Sequence, residues 1–115
     1  MPVGRNKEQN MNSKIFIGAA YYPEMWAENE VEKDIERCRT LGVNTLRIGE
    51  FAWGRMEPEE GKYDFGWLER TVDRLHEAGI NTIMCTPTAT PPRWLLEKYP
   101  EVIKVNNSGK RDAIA

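Results

Sequence analysis

The chain alternates between short apolar runs and longer stretches that carry an apolar stripe. Apolar side chains recur at the helical period in two stretches, at Val31, Ile35, Cys38 and Leu41 and at Leu68, Val72, Leu75 and Ala78. Charged residues occupy the opposite face of each stretch, which predicts two helices with solvated outer surfaces. Asp64 is the expected N-cap of the second helix, and a third helix is predicted at Arg93–Lys98.

Three short apolar runs predict β-strands at residues 14–20, 43–48 and 80–86. None of them alternates strictly between apolar and polar residues, which is typical of strands that are covered on both faces. Because helices separate the runs, consecutive strands should pair in parallel through right-handed crossovers. The pattern therefore predicts an α/β fold.

An internal repeat supports this order of elements, since residues 41–48 resemble residues 78–85. Each copy contains a helix end, a glycine and an apolar strand, and Gly42 and Gly79 suit the left-handed position that ends a helix. Such units build (β/α)₈ TIM barrels, which need about 250 residues. We therefore predict the first three βα units of a truncated barrel in residues 14–115, after a flexible leader at 1–13. The alternative is a small open three-stranded α/β domain.

The composition and charge of the chain limit the classes of function that it can have. The 115 residues are 40% hydrophobic and 30% charged, which is ordinary for a soluble protein. A net charge of −2 gives no basis for binding nucleic acid or an anionic membrane. No apolar run is long enough to span a bilayer, and the first residues lack the apolar core of a signal peptide, so a cytoplasmic location is expected.

Cofactor and metal signals are weak in this sequence. No glycine-rich phosphate loop occurs, so we expect no nucleotide cofactor. The two cysteines, Cys38 and Cys85, lie far apart and are interpreted as small buried residues on a helix and a strand, so neither a disulfide nor a metal site is predicted. His76 lies beside the apolar stripe among charged residues and is interpreted as a surface residue.

The candidate chemistry follows the three strands, where barrels place their active sites. The loop at 86–94 is rich in threonine and proline, which makes it rigid and rich in hydroxyls. Aromatic rings pack on the apolar faces of sugars, while carboxylates and guanidinium groups bind sugar hydroxyls. The pocket candidates are Tyr22, Glu24, Glu50, Trp53, Arg93 and Trp94, together with Arg47 inside the second strand.

Structural roles compete with these assignments. Each tryptophan could be a core or rim aromatic, and Arg47 could form a structural brace with Glu50. Glu24 could simply place its charge at the favourable start of a helix. The acidic residues of the stretch 57–65 are expected to be solvated.

Four blocks, residues 18–26, 46–53, 57–68 and 86–101, resemble the N-terminal part of glycoside hydrolase family 42, the β-galactosidases. The resemblance implies a (β/α)₈ catalytic barrel, a retaining mechanism, terminal β-galactosides as substrates and a trimeric parent protein. It also implies that the acid/base and nucleophile glutamates lie beyond Ala115. Arg47 would orient the nucleophile and help to keep it ionised. No metal ligand is implied within this chain.

A retaining glycosidase uses two carboxylates about 5 Å apart. No such pair is expected here, so the chain alone is predicted to be inactive. Two alternatives have no catalysis: a small carbohydrate-binding domain that uses Trp26, Trp53 and Trp94, or a half-barrel subunit that assembles with a partner chain.

Overall fold

The computed structural model describes residues 15–111, in which strands and helices alternate. The main elements are β1 (Gly18–Ala20), α1 (Glu30–Leu41), β2 (Thr45–Ile48), α2 (Trp53–Met56), α3 (Gly66–Glu77), β3 (Asn81–Met84) and α4 (Arg93–Lys98). Single 3₁₀ turns occupy Pro23–Met25 and Pro100–Val102. The predicted leader at 1–13 and the predicted first residue of strand one lie outside the described residues.

The three strands form one parallel sheet in the order β1-β2-β3. Arg47 of β2 lies opposite Ala20 of β1 and opposite Ile83 of β3. At the other end of β1, a side chain on Gly18 would overlap the carbonyl oxygen of Thr45, so a glycine is needed for this close approach. The predicted parallel order is confirmed, although every strand is shorter than its apolar run.

The core lies between one face of the sheet and the helices α1, α2 and α3. It comprises Val31, Ile35, Cys38, Leu46, Ile48, Ala52, Met56, Trp67, Leu68, Leu75 and Ile80. Within this segment, which corresponds to the first part of the predicted barrel, the residues of β1 and β3 are exposed or half-buried. Among residues 15–111, the helices cover one face of the sheet, and β2 is the one strand with a neighbour on each side.

Both long helices end as the repeated glycines predict. Gly42 and Gly79 have φ values of 73° and 78°, and each is followed by a residue whose N–H bonds back into the helix. Val43 N donates to Cys38 O at 2.9 Å, and Ile80 N donates to Leu75 O at 2.9 Å. The repeat in the sequence is therefore a repeat of local backbone geometry.

Two details of the helix predictions are wrong. Leu41 is 75% exposed, whereas Ala78, at the equivalent position of the second stripe, packs against the core. Asp64 does not cap α3, which begins at Gly66 with Phe65 at the N-cap position and no side-chain cap. The backbone N–H of Asp64 instead donates to Met56 O at 2.7 Å.

Two asparagines of the repeat tie the strands together at their amino ends. The side chain of Asn44 accepts a bond from Ile17 N at 2.8 Å and donates to Ile15 O at 3.2 Å. The side chain of Asn81 donates to Asn44 O at 3.2 Å. Each asparagine therefore binds the backbone of the strand segment that precedes it in the sheet.

The predictions for Cys38 and His76 are confirmed, and the prediction for Cys85 is corrected. Cys38 is buried on α1 as expected, and burial raises the pKa of its thiol. Cys85 is only half-buried and lies one residue beyond β3, because the strand ends at Met84. His76 is exposed, as predicted. In the part of the chain that the structure describes, no helix has the length and apolar character to cross a membrane.

Candidate active site at the carboxyl edge of the sheet

Arg47 lies near the carboxyl end of β2, on the face of the sheet that the helices leave uncovered. Its neighbours in the strand, Leu46 and Ile48, are buried in the core, whereas its side chain is 49% exposed. A concavity on this face is lined by Phe16, Gly18, Ala19, Ala20, Thr45, Arg47 and Ile83. The alternation along β2 therefore directs the guanidinium away from the hydrophobic core.

A carboxylate from the next loop neutralises this arginine. Arg47 Nη2 donates to Glu50 Oε2 at 3.0 Å, and Glu50 is more buried than its partner. The sequence predicted that Arg47 would need such a partner, with Glu50 as a candidate. The pair leaves other N–H donors on the guanidinium fork, which can bind a further carboxylate or a sugar hydroxyl.

The two tyrosines of the loop after β1 lie in different surroundings. Tyr21 packs against the core and its hydroxyl donates to Asp34 of α1 at 2.6 Å. Burial, together with this bond, raises the pKa of the Tyr21 phenol well above its usual value. Tyr22 instead contacts Phe51 of the loop after β2, with ring centroids 5.6 Å apart. Of the two, only Tyr22 joins the carboxyl-edge loops.

Glu24 lies half-buried in the 3₁₀ turn Pro23–Met25. Its carbonyl oxygen accepts a bond from Arg55 Nη1 at 3.3 Å, which links the first loop to α2. Its Oε2 atom is buried and, among the described residues, has no hydrogen-bond partner. Trp26, in the same loop, is 61% exposed.

Trp53 and Trp94 meet at one residue, Glu57. The indole Nε1 of Trp53 donates to the Glu57 carboxylate at 2.9 Å. The indole Nε1 of Trp94 donates to the Glu57 carbonyl oxygen at 2.8 Å. The Glu57 carboxylate also accepts the backbone N–H of Gly61 at 2.9 Å. Glu57 thus links the segment after β2 to the segment after β3.

The prediction that the acidic residues of the stretch 57–65 are solvated is therefore wrong for Glu57, which is only 9% exposed. The bond from Trp53 lowers the pKa of this carboxyl, and bonds from Gly61 N and the Tyr63 hydroxyl lower it further. Glu57 is the residue that the sequence analysis missed. The available signal was its spacing, since Trp53 stands one helical turn before it and Gly61 four residues after it.

Arg93, the first residue of α4, is paired within its own helix. Its Nε donates to Glu97 Oε1 at 2.7 Å, and its side chain is 81% exposed. Nearby, Lys98 and the Tyr99 hydroxyl both bind the carboxylate of Glu60, which lowers the pKa of Glu60. These contacts attach α4 to the turn that follows α2.

The threonine- and proline-rich segment connects β3 to α4 as a loop, as predicted. Thr90 N donates to Pro87 O at 3.4 Å, and Pro92 provides the buried start of α4. The hydroxyl-bearing residues Thr86, Thr88 and Thr90 are exposed. Within residues 15–111, no group of three or more histidine, cysteine or acidic side chains is arranged to hold a metal ion.

Comparisons with known proteins decide the family. The sequence model of glycoside hydrolase family 42, described as β-galactosidase, matches residues 20–115. The chain belongs to this family. It is 53% identical over 93 residues to the β-galactosidase YesZ of Bacillus subtilis and 48% identical over 100 residues to YesZ of Bacillus licheniformis. These matches cover 81% and 87% of this chain but only 14% and 15% of the two relatives.

Solved structures give the same result for the fold. The β-galactosidase of Rahnella sp. R3 superposes with a TM-score of 0.82 at 35% identity, covering 90% of this chain and 16% of that protein. Gan42B, a family 42 β-galactosidase, superposes with the same TM-score at 37% identity, covering 88% of this chain and 15% of that protein. The chain therefore spans about 15% of the relatives it matches and corresponds to successive βα units of their fold.

Proposed function

We propose that residues 14–115 are the N-terminal part of a (β/α)₈ barrel that hydrolyses terminal β-D-galactosides with retention of configuration. Membership of family 42, at 53% identity to a β-galactosidase, carries this proposal. The parallel βα units, with charged and aromatic side chains gathered at the carboxyl edge, support it from the geometry, because barrel enzymes bind their substrates at that edge.

In the proposed mechanism, two carboxylates from parts of the family barrel that this segment does not cover perform the chemistry. One attacks the anomeric carbon and forms a covalent galactosyl intermediate, while the other first protonates the leaving oxygen and later activates water. Arg47 lies beside the reacting centre in this proposal. Its positive charge favours the ionised form of the nucleophile, and its free N–H donors fix that carboxylate in position.

The remaining candidates are proposed to shape the galactoside pocket. The Tyr22–Phe51 contact and the fastened indoles of Trp53 and Trp94 provide aromatic surface for the sugar ring. Glu50 holds Arg47 in place, and Glu24 has an oxygen that can accept a hydrogen bond. Arg93 is the weakest member of this set, because it already binds Glu97 on an exposed helix surface.

The galactoside is the only partner we propose for the site, and a trimeric parent protein is proposed from the family resemblance alone. The cytoplasmic location, the flexible leader at 1–13, and the absence of nucleic-acid or membrane partners stay predictions from the sequence.

The experiment compares two polypeptides with 4-nitrophenyl β-galactoside as substrate. The full-length protein that contains this segment is expected to hydrolyse it, and NMR of the first-formed sugar should show the β-anomer. The 115-residue chain alone is expected to give no turnover above buffer, because both catalytic carboxylates are missing. An inverted product, or a full-length protein that hydrolyses β-glucosides but not β-galactosides, would contradict the proposed function.

A further inference from the structure

Glu57 holds an unusual position for an acidic residue in a turn. It is only 9% exposed, and its carboxylate accepts N–H donors from Trp53 and Gly61, while no ion pair to it is found among residues 15–111. A buried charge costs free energy unless hydrogen bonds replace the lost water. The chain therefore retains a charge at this point together with donors for both of its oxygens.

Those donors join segments that are distant in the sequence. Trp53 begins α2 after strand β2, whereas Trp94 lies in α4 after strand β3. Both indoles donate to Glu57, one to its side chain and one to its carbonyl oxygen. An indole N–H is a donor only, so each ring loses its freedom to rotate when that single donor is bound.

We propose that Glu57 is a positioning residue for the galactoside pocket, which fixes the two tryptophan rings of neighbouring loops through their indole N–H groups. This inference rests on the proposed function, because it assigns the two rings to the sugar-binding surface. A side chain that is held in one orientation before the substrate arrives need not be ordered on binding, which improves affinity. Glu57 itself does not touch the substrate in this proposal.

The substitution Glu57→Gln separates positioning from packing. Glutamine has almost the same shape, but it has one acceptor oxygen in place of two and adds an NH₂ group, which cannot accept from either Trp53 or Gly61. The bond from Trp94 goes to the backbone of residue 57 and is retained. The variant therefore loses the acceptor for either Trp53 or Gly61 and weakens the bond that remains, because a neutral amide oxygen is a weaker acceptor than a carboxylate.

The test uses the full-length enzyme that contains this segment. KM and kcat for 4-nitrophenyl β-galactoside are measured for the wild type, Glu57→Gln, Trp53→Phe, and the double variant. Near-ultraviolet circular dichroism reports the fixed indoles independently of activity. Glu59→Gln is the matched control, because Glu59 lies in the same turn but is exposed and paired with Lys62.

Glu57→Gln is expected to raise KM about tenfold, to change kcat less than about twofold, and to weaken the near-ultraviolet signal. A less ordered Trp53 ring weakens the binding of substrate and transition state alike, which raises KM and leaves kcat unchanged. Trp53→Phe removes the same bond from the other side, so the double variant should have the KM of Trp53→Phe. If Glu57→Gln does not fold, Trp53→Phe alone still tests the premise, because an unchanged KM would show that the Trp53 ring is not part of the galactoside surface and would overturn the inference. Glu59→Gln should match the wild type.

Two results overturn the inference. In the first, Glu57→Gln lowers the melting temperature, but KM and the near-ultraviolet signal, measured well below that temperature, are unchanged. Glu57 would then have a purely structural role. In the second, the single effects on KM multiply in the double variant, which means that Glu57 and Trp53 act independently. If the wild type does not hydrolyse the galactoside at all, the proposed function fails, and the near-ultraviolet signal alone decides whether Glu57 fixes the rings.

Discussion

The amino edge and the carboxyl edge of the same sheet differ in what their polar side chains bind. At the amino edge, Asn44 and Asn81 both bind backbone groups of the preceding strand segment, Asn44 through two side-chain bonds and Asn81 through one. At the carboxyl edge, Arg47 binds the side chain of Glu50, and Trp53 binds the side chain of Glu57. The repeated edge holds strands in register, whereas the loops at the other edge differ from one another and carry the candidate chemistry.

The difference follows from how βα units are built. Every unit must pair its strand with the previous one, so the sequence that begins a strand can be repeated with the same partners. The loops that end the strands face one shared cleft, and a cleft that binds one asymmetric sugar needs a different side chain from each loop. A substitution at the amino edge should therefore change stability, and one at the carboxyl edge should change activity.

The largest effect should come from Arg47 in the full-length enzyme. Arg47→Met should lower kcat/KM for a nitrophenyl galactoside by about 10²–10³-fold, because the charge that supports the nucleophile is lost. The free energy of unfolding should fall by no more than about 1–3 kcal/mol, since the variant leaves the core intact and removes the bond to Glu50. Kinetics and chemical denaturation of the same preparation test both parts.

Arg39→Met is the matched control for this variant, because Arg39 forms an exposed pair with Glu36 on α1. It should retain wild-type kinetics. If Arg47→Met instead unfolds the protein and retains kcat/KM in the folded fraction, Arg47 is a structural brace and the contrast between the two edges disappears.

The second largest effect is expected from substitutions at the amino edge, and it should be a loss of free energy of unfolding. Asn44→Ala removes bonds to Ile17 N and Ile15 O, which should cost about 1–2 kcal/mol in the free energy of unfolding. Asn81→Ala loses one weaker bond and should cost less. Urea denaturation measures both. A change of more than about threefold in kcat/KM for Asn44→Ala, at a temperature where the protein is folded, would show that the two edges do not separate structure from activity.

The features that could be predicted from the sequence are those that local patterns determine. Parallel order follows from alternating strands and helices, the ends of α1 and α3 follow from Gly42 and Gly79, and Arg47 requires a carboxylate because it stands in an apolar strand. The bounds of α4 were also predicted without error, because prolines limit its start and its end.

The features that were missed depend on contacts between distant segments. Glu57 looks like one solvated acid among several until Trp94, which comes much later in the chain, bonds to its carbonyl oxygen. The length of β1 depends on pairing with β2, so the apolar residues before Gly18 do not extend it. Leu41 was placed on a buried stripe but is exposed, whereas Ala78 at the equivalent position packs against the core, so the burial of this position depends on its tertiary neighbours and not on its spacing.

Tyr21 tests the comparison between the two edges, because it lies at the carboxyl edge but its hydroxyl bonds to Asp34 of α1. Tyr21→Phe removes the bond to Asp34 and should cost about 1–2 kcal/mol in the free energy of unfolding at pH 7, with kcat unchanged. The pKa of this phenol is raised in the folded protein, so the folded state keeps the proton longer than the unfolded chain. Wild-type stability should therefore fall as pH rises past about 10, where an unfolded tyrosine ionises.

Urea titrations at pH 7 and at pH 10.5 measure this effect. The Tyr21→Phe variant should lose less stability between the two pH values than the wild type, so the difference between them narrows at high pH. A wider difference at pH 10.5 would reverse the sign of the linkage and contradict the shift. A loss of kcat at pH 7 would place Tyr21 with the carboxyl-edge chemistry in spite of its bond to α1.

The smallest effect is expected at Arg93, where the sequence and the structure point to different roles. An exposed pair four residues apart on a helix contributes about 0.3–0.5 kcal/mol, so Arg93→Ala should barely change the free energy of unfolding. If Arg93 acts only through Glu97, then Arg93→Ala and Glu97→Ala should behave alike, each with kcat/KM within about twofold of the wild type. If Arg93 instead leaves Glu97 to bind the galactoside, Arg93→Ala alone should raise KM about tenfold, since a charged donor to the substrate would be lost. The comparison of the two single variants therefore decides whether the cleft extends from Arg47 across the sheet edge to the start of α4.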